Sequence, residues 1–384
     1  MKQRLTILGS TGSIGVQTLD IVRENPELFE IATLTANNNW EKLASQAIEF
    51  EVDTVVIASE EHYPALSERL AKHPIKVYAG DDAVAQVAAN SSVDVVINAL
   101  VGYSGLIPTV RAIEAGKKVA LANKESLVVG GEYVMRLARE KGVPIIPIDS
   151  EHSAIFQCLM GECSHIRRVI LTCSGGSFRE LKREYLQYVT VDQALKHPQW
   201  SMGAKITIDS STLVNKGFEV IEAHWLFGLG ADKIDVIQHP QSVIHSMVEF
   251  EDGAIKAQMG TPDMRTPISL SLMFPKRATR AQEQFNFLEN PQLTFEAVDR
   301  EKFPALDIAY ECLRKGGTAA CTMNGANEVA VAAFLNRECH YLDIVKCIQH
   351  TLDRATFIRN ATLEDYAWIN EESKILAADF LKLK

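Results

Sequence analysis

Seven short apolar runs punctuate the first part of the chain: LTILG, EIATLT, DTVVIA, IKVYAG, DVVINAL, KKVALA and VPIIPI. Between most of them the apolar residues fall at helical spacing, as in residues 16–23, 43–49 and 106–115. Strands rich in β-branched residues, alternating with amphipathic helices, predict a doubly wound, mostly parallel sheet of the Rossmann-like α/β type. After Ser150 the rhythm changes. RRVILTCSGGSF predicts a strand running into a loop, SSTLVNKGFEVIEAHW a helix, and SVIHSMVEFEDGAIKAQMG a hairpin turning at Asp252-Gly253. Prolines among polar residues mark 274–302 as a connector, and four helical patterns after it predict a small C-terminal bundle. The expected organisation is a sheet domain over 1–149, a central α+β domain over 150–273, the connector 274–302 and a helical domain over 303–384.

Composition narrows the setting. With 384 residues and 47% hydrophobic positions, the chain can bury a substantial core. A formal charge of −10 argues against a nucleic-acid surface, though a local basic pocket can still take a small anion. Seven scattered cysteines with no C-x-x-C pair fit a reducing cytosol better than a disulfide framework. The start MKQRLTILGS enters a strand at once, and no apolar run is long enough to span a bilayer, so a soluble cytoplasmic protein without membrane attachment is expected.

ILGSTGSIGVQTLDIV places Gly9, Gly12 and Gly15 between the first strand and the first helix. This G-x-x-G-x-x-G turn is a variant of the dinucleotide fingerprint, in which glycines let the backbone approach a pyrophosphate at a helix N-terminus. The second strand ends at Asn37, Asn38 and Asn39 rather than at an acid. Amides can donate to a 2′-phosphate that a carboxylate would repel, which favours NADP over NAD; ordinary loop chemistry is the alternative for this run. LANKESLV sets Lys124 and Glu125 at the ligand-binding end of the sheet, Lys124 being either a surface charge or a group facing substrate.

The seventh strand hands over to DSEHSAIFQ, which carries Asp149, Ser150, Glu151 and His152 against apolar neighbours. On an extended segment Asp149 and Glu151 would point together, with Ser150 facing elsewhere. On the predicted helix Asn215 and Glu219 share a face, and Lys216 with Glu219 is an i, i+3 pair; the alternative is a solvated face. Asp149, Glu151 and Glu219 together would form an all-oxygen site suited to Mg²⁺ or Mn²⁺, with Co²⁺ a further candidate, and less to zinc. His152 reads as a structural partner rather than a ligand. TCSGGSF offers Ser174, Gly175, Gly176 and Ser177 as an anion nest, and DSSTLVNKG adds Ser210, Asn215 and Lys216, a donor set that matches phosphate. Between them HPQWSMG, with His197, Trp200, Met202 and Gly203, suits either a lid or core packing.

The set GSTGSIG, LANKESLV, DSEHSAIFQ, SGGSF, HPQWSMG, NKGFEVIEAHWLF, HPQSVIHSMVEF, PDMRTPI and NGANEVAVAAFL, in this order, resembles the 1-deoxy-D-xylulose 5-phosphate reductoisomerases. The resemblance implies an NADPH- and divalent-metal-dependent enzyme that rearranges and reduces a phosphorylated ketose to 2-C-methyl-D-erythritol 4-phosphate in the non-mevalonate isoprenoid route. It implies metal ligands at Asp149, Glu151 and Glu219, with Lys124 beside them in catalysis. Substrate contacts carry over to Lys124, Ser150, Glu151, Ser174, His197, Trp200, Ser210, Asn215, Lys216 and Glu219. Cofactor contacts carry over to Thr11, Gly12, Ser13, Ile14, Asn37, Asn38, Asn39, Asn123, Glu125, Gly203 and Met264. It also implies a homodimer that uses the central domain. Two departures stand out: the family's lysine in the asparagine segment is absent, and Cys173 and Ser177 replace the usual loop residues, which is expected to loosen the lid. A semialdehyde- or homoserine-type dehydrogenase and an NADP-sensing module are the competing classes; neither requires three carboxylates around a metal.

Overall fold

Strand β1 (Gln3–Leu8) is buried along its last four residues and pairs in parallel with β2 (Phe29–Ala36) on one side and β5 (Val95–Asn98) on the other. The computed structural model describes residues 2–200, 202–279 and 285–383. All seven predicted strands join one parallel sheet in the order β4-β3-β2-β1-β5-β6-β7, with β3 (Thr54–Ile57), β4 (Lys76–Ala79), β6 (Lys118–Leu121) and β7 (Ile145–Pro147). The central strands are buried on both faces because helices cover both, which is why they read as continuous apolar runs. The order reverses between β1 and β5, and the carboxyl ends of these strands form the crevice where such sheets bind ligands.

The helices of this unit are α1 (Ser13–Glu24), α2 (Trp40–Glu49), α3 (Tyr63–Leu70), α4 (Asp81–Ala88), α5 (Leu106–Glu114) and the start of α6 (Glu125–Lys141), which kinks at Gly130. The unit comprises Met1–Ser126, Val134–Asp149 and Met264–Arg280. Its last piece carries α11 (Arg265–Met273), whose Ile268 and Leu272 sit in the same core as Leu5, Ile7 and Leu34. The sequence division had placed 264–273 in the central domain; these two apolar side chains draw the helix to the first sheet instead.

The second unit comprises Leu127–Tyr133, Ser150–Asp263 and Ala281–Lys384. It has a five-stranded sheet in the order β11-β10-β8-β9-β12, built from β8 (Ile166–Cys173), β9 (Ile234–Gln238), β10 (Ile244–Phe250), β11 (Ile255–Met259) and β12 (Glu296–Ala297). The predicted hairpin is β10–β11, with Gly253 at φ +84° in its turn. Strand β12 falls within the expected connector, of which residues 280–284 lie outside the described residues. Helices α7 (Ser150–Leu159), α8 (Val191–Ala194), α9 (Ala204–Thr212) and α10 (Val214–Phe227) precede the C-terminal four: α12 (Ala305–Lys315), α13 (Ala319–Leu335), α14 (Tyr341–Leu352) and α15 (Leu363–Leu381).

The single helix expected over SSTLVNKGFEVIEAHW is broken. Buried Leu213 sits at φ +61° between α9 and α10, a conformation rare for a leucine and found where surrounding structure over-determines it. The C-terminal helices share one core with α10: Phe218 and Ile221 pack with Ala305, Ala309, Met323, Ala326 and Ile344. Gly217, unusual inside a helix, is explained by this packing, since a Cβ there would lie 2.6 Å from the Ala309 Cβ.

The glycine turn after β1 is equally tight. A Cβ on Gly15 would fall 2.4 Å from the Gly9 carbonyl oxygen, whereas one on Gly12 would stand 3.5 Å from it, an ordinary contact. Gly15→Ala should therefore cost about 1–3 kcal/mol in urea denaturation, the range for an overpacked site, and Gly12→Ala distinctly less. Equal costs for the two would show that the turn relaxes.

Candidate active site

The acids that the sequence singles out sit at the N-terminus of α7. The helix begins at Ser150, so Asp149 is the residue just before its first turn and Glu151 lies within it. This differs from the extended segment expected: Ser150 does not face away, and its hydroxyl donates to Glu151 Oε2 at 2.5 Å. Convergence comes from the helix start, where free N–H groups and the dipole favour negative charge. Asp149, Glu151 and Glu219 each present an oxygen within 4.8 Å of one another, and Glu219 is almost fully buried in α10.

Carboxylates this close need a cation. In the second unit the buried Lys216 ammonium supplies charge, donating to Glu151 Oε1 at 2.9 Å and pairing with Glu219 Oε2. Burial alone would lower the Lys216 pKa, but attraction to Glu151 and Glu219 outweighs it and holds the value above the ordinary lysine range. Asn215 Nδ2 donates to the other Glu219 oxygen, Oε1, at 2.5 Å. The helix face is thus a packed polar cluster, not a solvated one. In the first unit, buried Lys124 pairs with Asp149.

His152 is fully buried beneath this cluster. Its Nε2 lies 2.9 Å from the Glu219 backbone carbonyl and its Nδ1 lies 3.2 Å from Glu222 Oε2. Asp149, His152 and Glu222 form a second grouping of metal-ligand types within 4.8 Å. With both imidazole nitrogens turned to Glu219 and Glu222, His152 suits a supporting role, and the all-oxygen trio fits a hard divalent cation.

The residues expected to donate to phosphate are also linked. Gly175 and Gly176 follow β8 at φ +86° and +69°, and a Cβ on Gly176 would fall 2.6 Å from the Ser210 carbonyl oxygen. Only glycine lets this loop lie against the last turn of α9. Ser174 Oγ is 3.0 Å from His197 Nε2. His197 Nδ1 accepts from the backbone N–H groups of Trp200 at 2.9 Å and Gln199 at 3.2 Å, so the neutral ring carries its proton on Nε2, toward Ser174. Burial lowers the His197 pKa to about 4 despite attraction from Glu151. The Trp200 ring tilts against His245, another histidine whose pKa burial lowers, with centroids 6.1 Å apart. A cleft of about 260 Å³ beside Ser174 is lined by Arg179, Lys196 and Gln199. Cys173 and Ser177, expected to loosen the lid, each have a defined place here. The Cys173 thiol is buried at the end of β8, its pKa pushed up to about 11, and the Ser177 hydroxyl ties the loop to the Ala194 carbonyl at 2.8 Å.

At the β1–α1 turn, Thr11 to Ile14 surround the N-terminus of α1, whose cap Gly12 leaves the first amides without a side-chain partner. Asn37, Asn38 and Asn39 are exposed, and Asn39 Oδ1 caps α2 by accepting from Lys42 N at 3.1 Å. The Asn123 carboxamide holds the 100–102 loop, donating to the carbonyls of Leu100 and Gly102 at 3.0 Å and to Glu125 at 3.2 Å. Met264 caps α11 and packs on the first core, and Gly203 caps α9 in the second unit.

Comparison with known proteins decides the family. Residues 5–131 match the family model described as 1-deoxy-D-xylulose 5-phosphate reductoisomerase, and residues 145–227 and 259–376 match the models of its C-terminal domains. The chain is 52% identical over 381 residues to the 1-deoxy-D-xylulose 5-phosphate reductoisomerase of Bacteroides fragilis, covering 99% of this chain and 98% of that one. The chain belongs to this family. Among solved structures, the reductoisomerase of Zymomonas mobilis in complex with NADPH aligns with a TM-score of 0.92 at 43% identity, covering 100% of both chains. A DOX-P reductoisomerase in complex with NADPH, fosmidomycin and magnesium aligns with a TM-score of 0.95 at 38% identity, covering 99% of this chain and 98% of the other.

Two further groups, not singled out in the motifs, lie against residues that the sequence does single out. Lys42 follows the asparagines by one helical turn, and its exposed ammonium donates to the Thr11 carbonyl at 3.0 Å; the i, i+3 step from Asn39 was the available signal. Glu222 is a single turn beyond Glu219 on α10, but nothing in the sequence paired it with His152.

The histidine geometry is testable. Because its folded pKa lies below the ordinary 6.5, His197 favours the folded state fully above 6.5, and that contribution is lost as pH falls from 6.5 toward about 4. Imidazole NMR of the protein should show a neutral ring protonated at Nε2 through this window. A His197 titration midpoint at the ordinary value would overturn the assignment.

Proposed function

We propose that Asp149, Glu151 and Glu219 hold the divalent cation of this reductoisomerase, Mg²⁺ or Mn²⁺, and that Ser174, His197, Ser210, Asn215 and Lys216 receive the substrate phosphate. The carrying observation is the three carboxylates within 4.8 Å, with two of them already bridged by an ammonium. The family assignment makes the chain an NADPH- and metal-dependent enzyme that converts 1-deoxy-D-xylulose 5-phosphate in isoprenoid precursor synthesis. On our reading the product is 2-C-methyl-D-erythritol 4-phosphate. The first unit, including α11, then serves NADPH and ends at the metal ligand Asp149, residues 150–263 carry the rest of the metal and sugar site, and 303–384 support them.

A divalent ion bound at the carboxylates supplies Lewis acidity toward the ketone and its neighbouring hydroxyl, and NADPH supplies the hydride. The chain's own residues do the rest. Lys124, buried against Asp149, adds fixed positive charge where substrate oxygens gain negative charge. Ser150 orients the Glu151 carboxylate through its hydroxyl. The His197 Nε2–H and the Ser174 hydroxyl are neutral donors for a phosphate oxygen, and Lys216 is a charged one. Since His197 Nδ1 also holds the Trp200 backbone, a phosphate that orders His197 orders the Trp200 loop, which can then exclude water.

The Thr11–Ile14 turn takes the pyrophosphate, and Asn37 to Asn39 with Lys42 take the adenosine 2′-phosphate, Lys42 replacing the cation missing from the asparagine run. The exposed residues 255–257 on β11, the outer edge of the second sheet, offer a place where a second copy could extend that sheet, which supports a homodimer. Among the described residues no helix is long and apolar enough to cross a membrane, in keeping with a cytoplasmic enzyme.

Glu219→Gln is expected to lower turnover by more than about 100-fold while NADPH affinity, read by cofactor fluorescence, stays within about twofold. Wild-type turnover in this variant would remove Glu219 from the metal site. Lys42→Ala should raise the KM for NADPH about tenfold and leave the KM for NADH unchanged; an equal effect on both cofactors would take Lys42 off the 2′-phosphate.

A further inference from the structure

The motif NGANEVAVAAFL lies on α13 and has no part in the chemistry above. Its Asn327 is fully buried and donates through Nδ2 to Asp209 Oδ1 at 2.8 Å. Asp209, also buried, accepts on its other oxygen from Lys205 at 2.9 Å. The residue after Asp209 is Ser210. The residue after that, Ser211, accepts at its backbone carbonyl from the Tyr341 hydroxyl of α14, at 2.6 Å. Ser210 is therefore gripped on both sides along the chain by the C-terminal helices. It is left half-exposed between buried Asp209 and buried Ser211.

Tyr341 reaches the other half of the phosphate nest as well. Its ring meets Phe178 edge-on, with centroids 5.0 Å apart, and Phe178 closes the SGGSF loop that carries Ser174. That loop already touches Ser210, because the Gly176 position tolerates no Cβ against the Ser210 carbonyl. One buried tyrosine on α14 thus braces both arms that bring donors to the anion.

We infer that Asn327 and Tyr341 are positioning residues that set where Ser210 meets the substrate phosphate, so that the C-terminal helices tune affinity for the phosphorylated end of the ketose. The inference rests on the reading of Ser210 as a phosphate donor. Neither residue touches substrate; each acts through the backbone or side chain next to Ser210. A hydroxyl shifted by a fraction of an ångström weakens binding of the anion in ground and transition states alike, so the loss falls on KM more than on kcat.

The test is steady-state kinetics on full-length Tyr341→Phe, which keeps the ring and removes one hydroxyl, alongside Asn327→Leu, Ser210→Ala and Tyr310→Phe. Tyr310 is the control, since its hydroxyl makes the same kind of buried bond, to the Ile234 carbonyl at 2.6 Å, away from Ser210. In Tyr341→Phe the KM for 1-deoxy-D-xylulose 5-phosphate and the competitive Ki of inorganic phosphate should each rise about five- to tenfold, as loss of one hydrogen bond predicts. Its kcat and its KM for NADPH should stay within about twofold. Tyr310→Phe should lower the melting temperature without moving either constant. Should Asn327→Leu fail to fold, Tyr341→Phe alone decides. If Ser210→Ala raises the KM and Tyr341→Phe does not, the positioning role is overturned. If Tyr341→Phe changes all kinetic constants together, or only as Tyr310→Phe does, it is overturned too. If Ser210→Ala leaves the KM and phosphate Ki unchanged, the phosphate reading of Ser210 fails first and the inference with it.

Discussion

The ammonium of Lys216, held out of water between Glu151 and Glu219, is the interaction around which the second unit is arranged. Two carboxylates from different helices would repel each other at this separation in a desolvated pocket, and one would take up a proton. The lysine neutralises both and ties the start of α7 to the start of α10. Removing one partner of such a cluster would leave an uncompensated buried charge, so the cluster is all or nothing. It also holds the two carboxylates close together.

Everything around the cluster serves to hold that geometry. His152 and Glu222 support it from the interior side, through the Glu219 backbone. Leu213, in its left-handed conformation, breaks what would have been one helix and turns α10 so that Asn215, Lys216 and Glu219 follow Ser210 on a new axis. The local strain of a leucine in that region is of the order of 1–2 kcal/mol, and it is tolerated because Leu213 is buried among Ile155, Leu171 and Val220. Gly217 then lets α12 approach α10 closely, which is how the C-terminal helices come to share a core with the helix that carries Lys216 and Glu219.

The first unit obeys a simpler rule. A parallel sheet whose strand order reverses between β1 and β5 opens a crevice there, and the glycine turn sits at that point. Gly9 and Gly15 are needed because backbone just after β5 and from the turn itself occupies the space of a side chain. The asparagine run itself has no cation, but the first turn of the next helix carries Lys42, whose ammonium lies against the Thr11 carbonyl of the glycine turn.

What the sequence determined on its own is whatever depends on period and composition. Strand–helix alternation set the parallel sheet, glycine spacing marked the tight turn between β1 and α1, and the i, i+3 and i, i+4 relations of Lys216 and Asn215 to Glu219 were legible because a helix makes them unavoidable. Only the tertiary structure decided the rest: that Asp149 and Glu151 meet at a helix N-terminus rather than along a strand, that Leu213 divides one predicted helix into two, that α11 belongs to the first core, and that Asn327 and Tyr341 reach the neighbours of Ser210. These depend on contacts between residues far apart in the chain, and periodicity carries no information about them. A side chain's partner across more than one hundred residues is chosen by packing, and packing exists only once the chain has folded.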